Sequence, residues 1–201
     1  MTHQVTIRNT KHQFKIEDDE SILQAALAAG LVIPYGCRDG ACGSCKGKLI
    51  EGEIDYGQYS EKALSAAERE AGHALFCQAK ARTDVVIEAR DVRAAGDIQV
   101  RIFPSRVAKL ERVTDDVIIL SLKMPATQPF RFIAGQYLDF IMKDGSRRSF
   151  SMGNAPHDDE FVQLHIRHVP GGAFTDHVFE KMKERDILRL EAPLGTFNLR
   201  E

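Results

Sequence analysis

The sequence predicts two domains of different class in one chain: an α+β domain over residues 1–90 and, after a linker at 91–99, a six-stranded antiparallel barrel over 100–201. Three observations predict it. Short alternating apolar runs flank an amphipathic helix in the first 90 residues. Beyond the linker, six strand-like runs recur at fairly regular spacing, punctuated by Asp-Gly, Pro and Gly turns. Between the two, DVRAAGDIQ is small, polar and broken by a glycine, the composition of a connecting segment.

In chain order, QVTIRN (4–9) and HQFKIE (12–17) alternate apolar and polar residues and predict an N-terminal hairpin. DDESILQAALAAG has acids at its start, apolar Ile22, Leu23, Ala26 and Leu27 at helical spacing, and Gly30 where a C-terminal cap belongs. KGKLIEGEI and DVVIEAR predict two further strands, with a helical turn at SAAEREAG ahead of HALFCQAK. In the second domain the strands are RVAKLERV (106–113), DVIILSLKM (116–124), QYLDFIMKDG (136–145), RRSFSMGN (147–154), FVQLHIRHV (161–169) and DILRLEAP (186–193). KDG at 143–145 reads as a hairpin tip. AFTDHVFEKMKERD reads as one helix, with Phe174, Val178, Phe179 and Met182 on its apolar stripe.

Composition bounds the partners. The 201 residues are 43% hydrophobic, enough to bury a real core, and 27 basic residues against 29 acidic ones give no nucleic-acid surface. The N-terminus lacks the basic-then-apolar layout of a leader, and no apolar run approaches the length that crosses a bilayer. A soluble chain in the reducing cytoplasm, with neither nucleic acid nor membrane as partner, is the expectation.

The chain has four cysteines, Cys37, Cys42, Cys45 and Cys77, spaced C-x4-C-x2-C with a distant fourth. That is the plant-type ligand pattern of a 2Fe–2S cluster. A zinc ribbon would want two close pairs, where only Cys42 and Cys45 form one, and a Rieske centre would need two histidine ligands. A disulfide framework belongs to small secreted domains rather than to a chain of this size and composition. Glycines at 36, 40, 43 and 47 let backbone wrap closely around a small object and aim amides at the sulfurs, which favours the charge arriving on reduction. Histidines 73, 157, 168 and 177 have no ligand spacing and read as surface or hydrogen-bonded residues.

The arrangement of residues 1–90 resembles the beta-grasp fold of plant-type ferredoxins. The second half is similar to the flavin-binding barrel of the ferredoxin reductase superfamily, through RSFS (148–151) preceded by AGQYLDF, through HIRHVPGGAFTDHVF and through APLGTFNL. The resemblance implies FAD as cofactor, with Arg148 facing its phosphates, Phe150 along the isoalloxazine and Ser151 near the reactive edge as the catalytic hydroxyl. It further implies flavin contacts at His165, Ile166 and Arg167 on a strand and at Gly172, Ala173 and Thr175 where a helix begins. The chemistry suits those residue types: guanidinium for phosphate, aromatic ring for stacking, helix amides and a hydroxyl for pyrophosphate. Phe150 in place of the usual tyrosine keeps the stacking and removes a hydroxyl. Taken singly, Gly-Gly before a helix is ordinary turn chemistry, and Arg148 beside Arg147 could be a solvated pair.

With YGCRDGACGSCKGKL, RRSFS, NAPHDDEF, LHIRHV and LGTFNLRE together, the chain resembles CDP-6-deoxy-glucoseen reductases within that superfamily, and shares its motifs with reductase components of oxygenases. The resemblance implies NAD(P)H as donor in the complete protein and an electron-accepting protein, a dehydratase or an oxygenase component, as partner. No G-x-G-x-x-G follows a strand, so the nicotinamide domain is expected to be missing from this chain. Electrons are expected to leave near Arg38, Asp39 and Ala41. The rival reading is a non-flavin 2Fe–2S carrier with an empty, partner-binding barrel.

Overall fold

A computed structural model describes residues 1–94, 96, 98–127 and 130–197. The elements of the first unit are β1 (Thr2–Ile7), β2 (Gln13–Glu17), α1 (Ile22–Ala28), β3 (Leu31–Val32), β4 (Lys46–Glu51), β5 (Ile54–Asp55), α2 (Ala66–Glu70), β6 (His73–Leu75), β7 (Lys80–Ala81), β8 (Val85–Glu88) and β9 (Arg93–Ala94). Those of the second are β10 (Arg101–Arg112), β11 (Val117–Lys123), β12 (Tyr137–Ile141), β13 (Arg147–Ser151), β14 (Val162–Arg167), α3 (Ala173–Glu180) and β15 (Ile187–Leu194). The chain divides into compact units at Met1–Gln99 and Val100–Glu201.

The first unit is a five-stranded mixed sheet in the order β2-β1-β8-β4-β6, in which β1 and β8 run parallel and the other neighbours antiparallel. Alternation along β1 and β2 buries Val5, Ile7, Phe14 and Ile16, and the helix adds Ile22, Leu23, Ala25 and Ala26. Ser21 and Gln24 form a capping box at the start of α1, and Gly30, at φ +73°, follows its end as expected. The next two amides, of Ile22 and Leu23, donate to the carbonyls of Ala79 (2.9 Å) and Phe76 (2.8 Å). The turn that carries Cys77 is thereby clamped to the helix N-terminus.

Two features were not legible from periodicity. His73–Leu75 is a strand of only three residues, recognisable by its pairing with β4 rather than by its own pattern. Arg93–Ala94, inside the expected linker, pairs with Leu31–Val32 and so belongs to the first unit.

The second unit is a six-stranded sheet, β13-β12-β15-β10-β11-β14, antiparallel throughout. Its core gathers Phe103, Val107, Leu120, Leu138, Phe140, Leu164, Ile166 and Leu190 from the inward positions, with Phe174 and Val178 from α3. The first strand begins earlier than RVAKLERV suggests: Arg101–Arg106 pair with β15, and Arg106–Arg112 with β11. Pro104 falls where only β15 is a partner, so its missing N–H breaks no second ladder. The predicted helix of fourteen residues stops at Glu180. Arg185 at φ +77° and the Asp186 carboxylate, accepting from the Lys183 amide at 2.9 Å, turn the chain there, while Met182 still fills the core.

Closure of this sheet is partial, and that positions the site. The outermost strands β13 and β14 share no ladder. They meet just beyond β13, where the Gly153 amide donates to Gln163 O (2.8 Å) and the Gln163 amide donates to Asn154 Oδ1 (2.9 Å). The Asn154 amide group bonds Asp158 O and Phe161 O at 2.6 and 3.0 Å, standing in for backbone across the gap.

Candidate functional site

The four cysteines lie in two pairs, and none is in a disulfide. Cys37 and Cys42 face each other across the tight loop: the Cys37 amide donates to Cys42 Sγ (3.4 Å) and the Cys42 amide to Cys37 Sγ (3.3 Å). Cys45 and Cys77 hydrogen-bond to each other through their thiols and are both buried. Among the described residues, no three His, Cys, Asp or Glu side chains converge as a single ion would require. Two-and-two is what a 2Fe–2S cluster needs, since each tetrahedral iron takes two bridging sulfides and two thiolates. The donor set therefore fits that group and not a lone zinc.

Backbone conformation makes the loop. Arg38 at φ +65° and Gly40 at +79° turn the chain twice between Cys37 and Cys42. A Cβ on Gly40 would stand 2.7 Å from the Gln58 carbonyl oxygen, so this approach requires glycine. The Asp39 carboxylate is turned back onto the Ala41 amide (3.2 Å).

The thiols are electrostatically uneven. Burial pushes Cys37 up. Burial also raises Cys42, but the Ser44 hydroxyl and the Cys37 and Ser44 amides outweigh it and leave that thiol lowered. In the buried pair, the hydrogen bond from Cys45 brings Cys77 down to about 7 against the cost of burial, with further donation from the Gly40 amide and Gln78. Cys45 is correspondingly driven far up. Next to it, Lys46 holds Glu68 (2.6 Å), whose carboxyl that ammonium and Ser65 keep down at about 2.

In the second unit the alternation of β13 separates two adjacent arginines. Arg147 bonds Glu191 and lies 3.7 Å from buried Asp139, which also accepts from Ser149 Oγ at 2.5 Å. Arg148, on the opposite face, is exposed and donates to its neighbour's carbonyl (2.7 Å). Phe150 shares that face. It is half-buried, 5.3 Å from Phe174 and 5.8 Å from Phe140 between ring centroids, so part of its ring is committed to the core and the rest is open. Ser151 is exposed at the end of the strand.

Across the unpaired edge, His165 and Arg167 are exposed, and Arg167 is paired with Asp116 (Nε–Oδ2 2.9 Å). Ile166 is fully buried in the barrel, so only its backbone could meet a ligand. Gly172 caps α3 without a side chain and leaves the amides at Ala173 and beyond to an external acceptor. The Thr175 hydroxyl is buried, donates to Val169 O (2.9 Å) and accepts from the Val169 amide (3.2 Å), so it closes the turn and leaves the backbone amide of Thr175, in the first turn of α3, for a ligand. A Cβ on Gly172 would stand 2.7 Å from that hydroxyl, which explains the glycine by the turn as much as by a ligand. His168, the remaining polar group here, bonds Asp176 (2.8 Å). APLGTFNL extends past residue 197, outside the described residues.

An open edge with an exposed arginine, a half-exposed ring and a hydroxyl on one strand, and helix amides without a side-chain cap beside the other, fits FAD. Sequence reasoning missed Gln78 and Ser44, because neither belongs to a ligand pattern; only their adjacency to Cys77 and Cys45 marked them. The role of Arg147 was readable in principle, since period two puts 147 and 148 on opposite faces.

Fold and donor sets together define an iron–sulfur flavoprotein. Residues 5–82 match the 2Fe-2S iron-sulfur cluster binding domain and residues 104–199 the oxidoreductase FAD-binding domain. The two matches follow one another in the chain, one in each unit. It is 38% identical over 188 residues to the CDP-6-deoxy-L-threo-D-glycero-4-hexulose-3-dehydrase reductase of Yersinia pseudotuberculosis, covering 94% of this chain and 56% of that protein. It is 34% identical to the reductase component 1 of terephthalate 1,2-dioxygenase from Comamonas, covering 100% of this chain and 59% of that one. The structure of the Amycolatopsis cytochrome P450 reductase GcoB superposes with a TM-score of 0.87 at 32% identity, over 98% of this chain and 59% of that one. The chain thus spans somewhat more than half the length of these relatives. Among the described residues no helix is long and apolar enough to cross a membrane.

Proposed function

We propose that this chain carries the flavin and iron–sulfur portion of a reductase that delivers electrons from reduced nicotinamide to a protein acceptor, a dehydratase or an oxygenase component. The observation that carries the reading is the presence of both donor sets in one chain: paired thiols in the first unit and the Arg148, Phe150 and Ser151 edge in the second. Bound FAD would accept two electrons as a hydride, and a 2Fe–2S cluster carries one at a time. The chain's own part is to bind and orient. Arg148 neutralises phosphate, Phe150 supports the ring system, Ser151 offers a hydroxyl at its edge, and His165, Arg167 and the backbone of Ile166 border the opposite strand. Ala173 and Thr175 present first-turn helix amides to the pyrophosphate, and Gly172, whose own amide donates to Val169 O (2.8 Å), lets it approach without a side chain.

Asp39, Ala41 and Cys42 are exposed on the cluster loop, which supports an exit there, near half-buried Arg38, to the acceptor. Four thiols free of disulfides support a reducing, cytoplasmic setting. The names of the relatives support both classes of acceptor.

Arg148→Ala is the direct test of the flavin edge. Losing one charge-assisted bidentate contact costs roughly 1.5–3 kcal/mol, or about 10- to 150-fold in flavin affinity, while the iron content should not change. Fluorescence of flavin released by denaturation, set against iron per chain, reads both. FMN instead of FAD in that fraction, or no flavin at all in the parent protein, would defeat the reading, the latter in favour of a carrier with an empty barrel.

We further propose that the nicotinamide site lies outside these 201 residues. Holding the nicotinamide at near-attack distance can supply roughly 7–11 kcal/mol of the hydride-transfer barrier. Stopped-flow mixing with NADH should therefore bleach the flavin very slowly, although dithionite reduces both cofactors. Bleaching at tens per second, a usual turnover scale, would place a nicotinamide site within the chain.

A further inference from the structure

We infer that Gln78 is a positioning residue for the cluster, tying the loop that carries Cys37, Cys42 and Cys45 to the turn that carries Cys77 and raising the cluster's reduction potential. The inference rests on the reading of the four cysteines as cluster ligands. Three separate observations meet at this side chain. Its Nε2 donates to the carbonyl of Arg38 at 3.1 Å and lies 3.9 Å from Cys77 Sγ, so the two N–H bonds of one amide address both halves of the ligand set. Arg38 is the non-glycine residue of the loop at positive φ (+65°), and Gln78 holds the carbonyl which that conformation turns inward. Two glycines are left bare against it: a Cβ on Gly40 would meet Gln78 Cγ at 3.1 Å, and one on Gly57 would meet Gln78 Cβ at 3.2 Å and its carbonyl oxygen at 2.7 Å.

The geometry around it is self-reinforcing. Ser60 donates its amide to Gly40 O at 3.1 Å, so the segment 57–60 braces the same point of the loop from the other side. Gly40 in turn donates its amide to the Cys77 sulfur. Gln78 is itself pinned, its amide bonded to Leu75 O at 2.9 Å inside the turn that α1 clamps. A donor fixed beside a thiolate favours the state with more negative charge on the sulfurs, which is the reduced one. Removing it should make the cluster harder to reduce. A glutamine beside the same loop that aims no proton at sulfur could be replaced without this effect, and Gln58, whose backbone carbonyl lies against Gly40, is such a control.

The test is the cluster midpoint potential of Gln78→Leu, followed by EPR-monitored titration, alongside Gln58→Leu and the parent protein. Iron and acid-labile sulfide in the parent report the cluster reading on their own; their absence would remove that reading and this inference with it. With iron present, Gln78→Leu should reduce with an equilibrium constant about tenfold lower, a shift of about 59 mV to more negative potential, and with altered g-values. Gln58→Leu should match the parent. An unchanged potential and spectrum in Gln78→Leu would overturn the inference. If Gln78→Leu takes up no iron, the Gln58→Leu variant, which keeps Gln78, decides: made by cell-free synthesis with side-chain-amide ¹⁵N glutamine, its reduced cluster should show a ¹⁵N coupling by pulsed EPR. No such coupling would overturn it equally.

Discussion

Cys77→Ser should abolish the cluster while leaving the flavin in place. Iron and acid-labile sulfide should fall to background, the visible charge-transfer absorption should bleach, and the dithionite-reduced EPR signal should vanish. Cys77 is buried and paired with Cys45, so no solvent ligand replaces it easily, and a serine oxygen is a hard donor where iron–sulfur chemistry wants a soft one. Its removal also leaves Cys45, the thiol most resistant to ionisation, without the partner that shares its proton. Because metal binding is linked to folding, the first unit should melt at a lower temperature in the variant. The barrel forms its own core, so its flavin should be retained at the parent stoichiometry. Full cluster absorbance with a normal EPR signal would remove Cys77 from the ligand set.

Sequence pattern carried the parts of this molecule whose physics is local. The spacing of four cysteines singled out the thiols that the fold brings together in two pairs, and strand-like runs between turn signals found the six barrel strands, most of which bury one face. Helix α1 was legible through the acids at its start, its apolar stripe and Gly30. What stayed hidden depends on partners remote in sequence. Strand β6 exists because Lys46–Lys48 pair with it, β9 because Leu31 and Val32 do, and the end of α3 is fixed by Arg185 donating its amide to Val107 O. The bonding of the Thr175 hydroxyl was hidden for the same reason: the Val169 backbone, six residues earlier, engages it from both sides.

Gly47→Ala, a change of one methyl group, should destabilise the first unit by about 3 kcal/mol or more, at or beyond the upper end of ordinary overpacking. The added Cβ would stand 2.2 Å from Cε2 and 2.5 Å from Cζ of Phe76, and 2.7 Å from the backbone oxygen of Glu88. Neither neighbour can give way. Phe76 is fully buried, its amide donates to Cys45 O (3.2 Å) and its carbonyl accepts from the Leu23 amide (2.8 Å), while Glu88 lies on β8, paired with β4. At about 4–8 °C per kcal/mol for a unit of this size, melting should fall by roughly 12–24 °C. The strain enters between the buried ligands, since β4 starts directly after Cys45 and Phe76 directly precedes Cys77, so iron loading should drop as well. Gly30→Ala separates collision from backbone strain: its φ is +73° but nothing lies within 4 Å of the new Cβ, so about 1–2 kcal/mol and no loss of iron are expected. Calorimetry and iron analysis on the two variants decide it, and equal destabilisation of both would mean that Phe76 and β8 yield more readily than their packing implies.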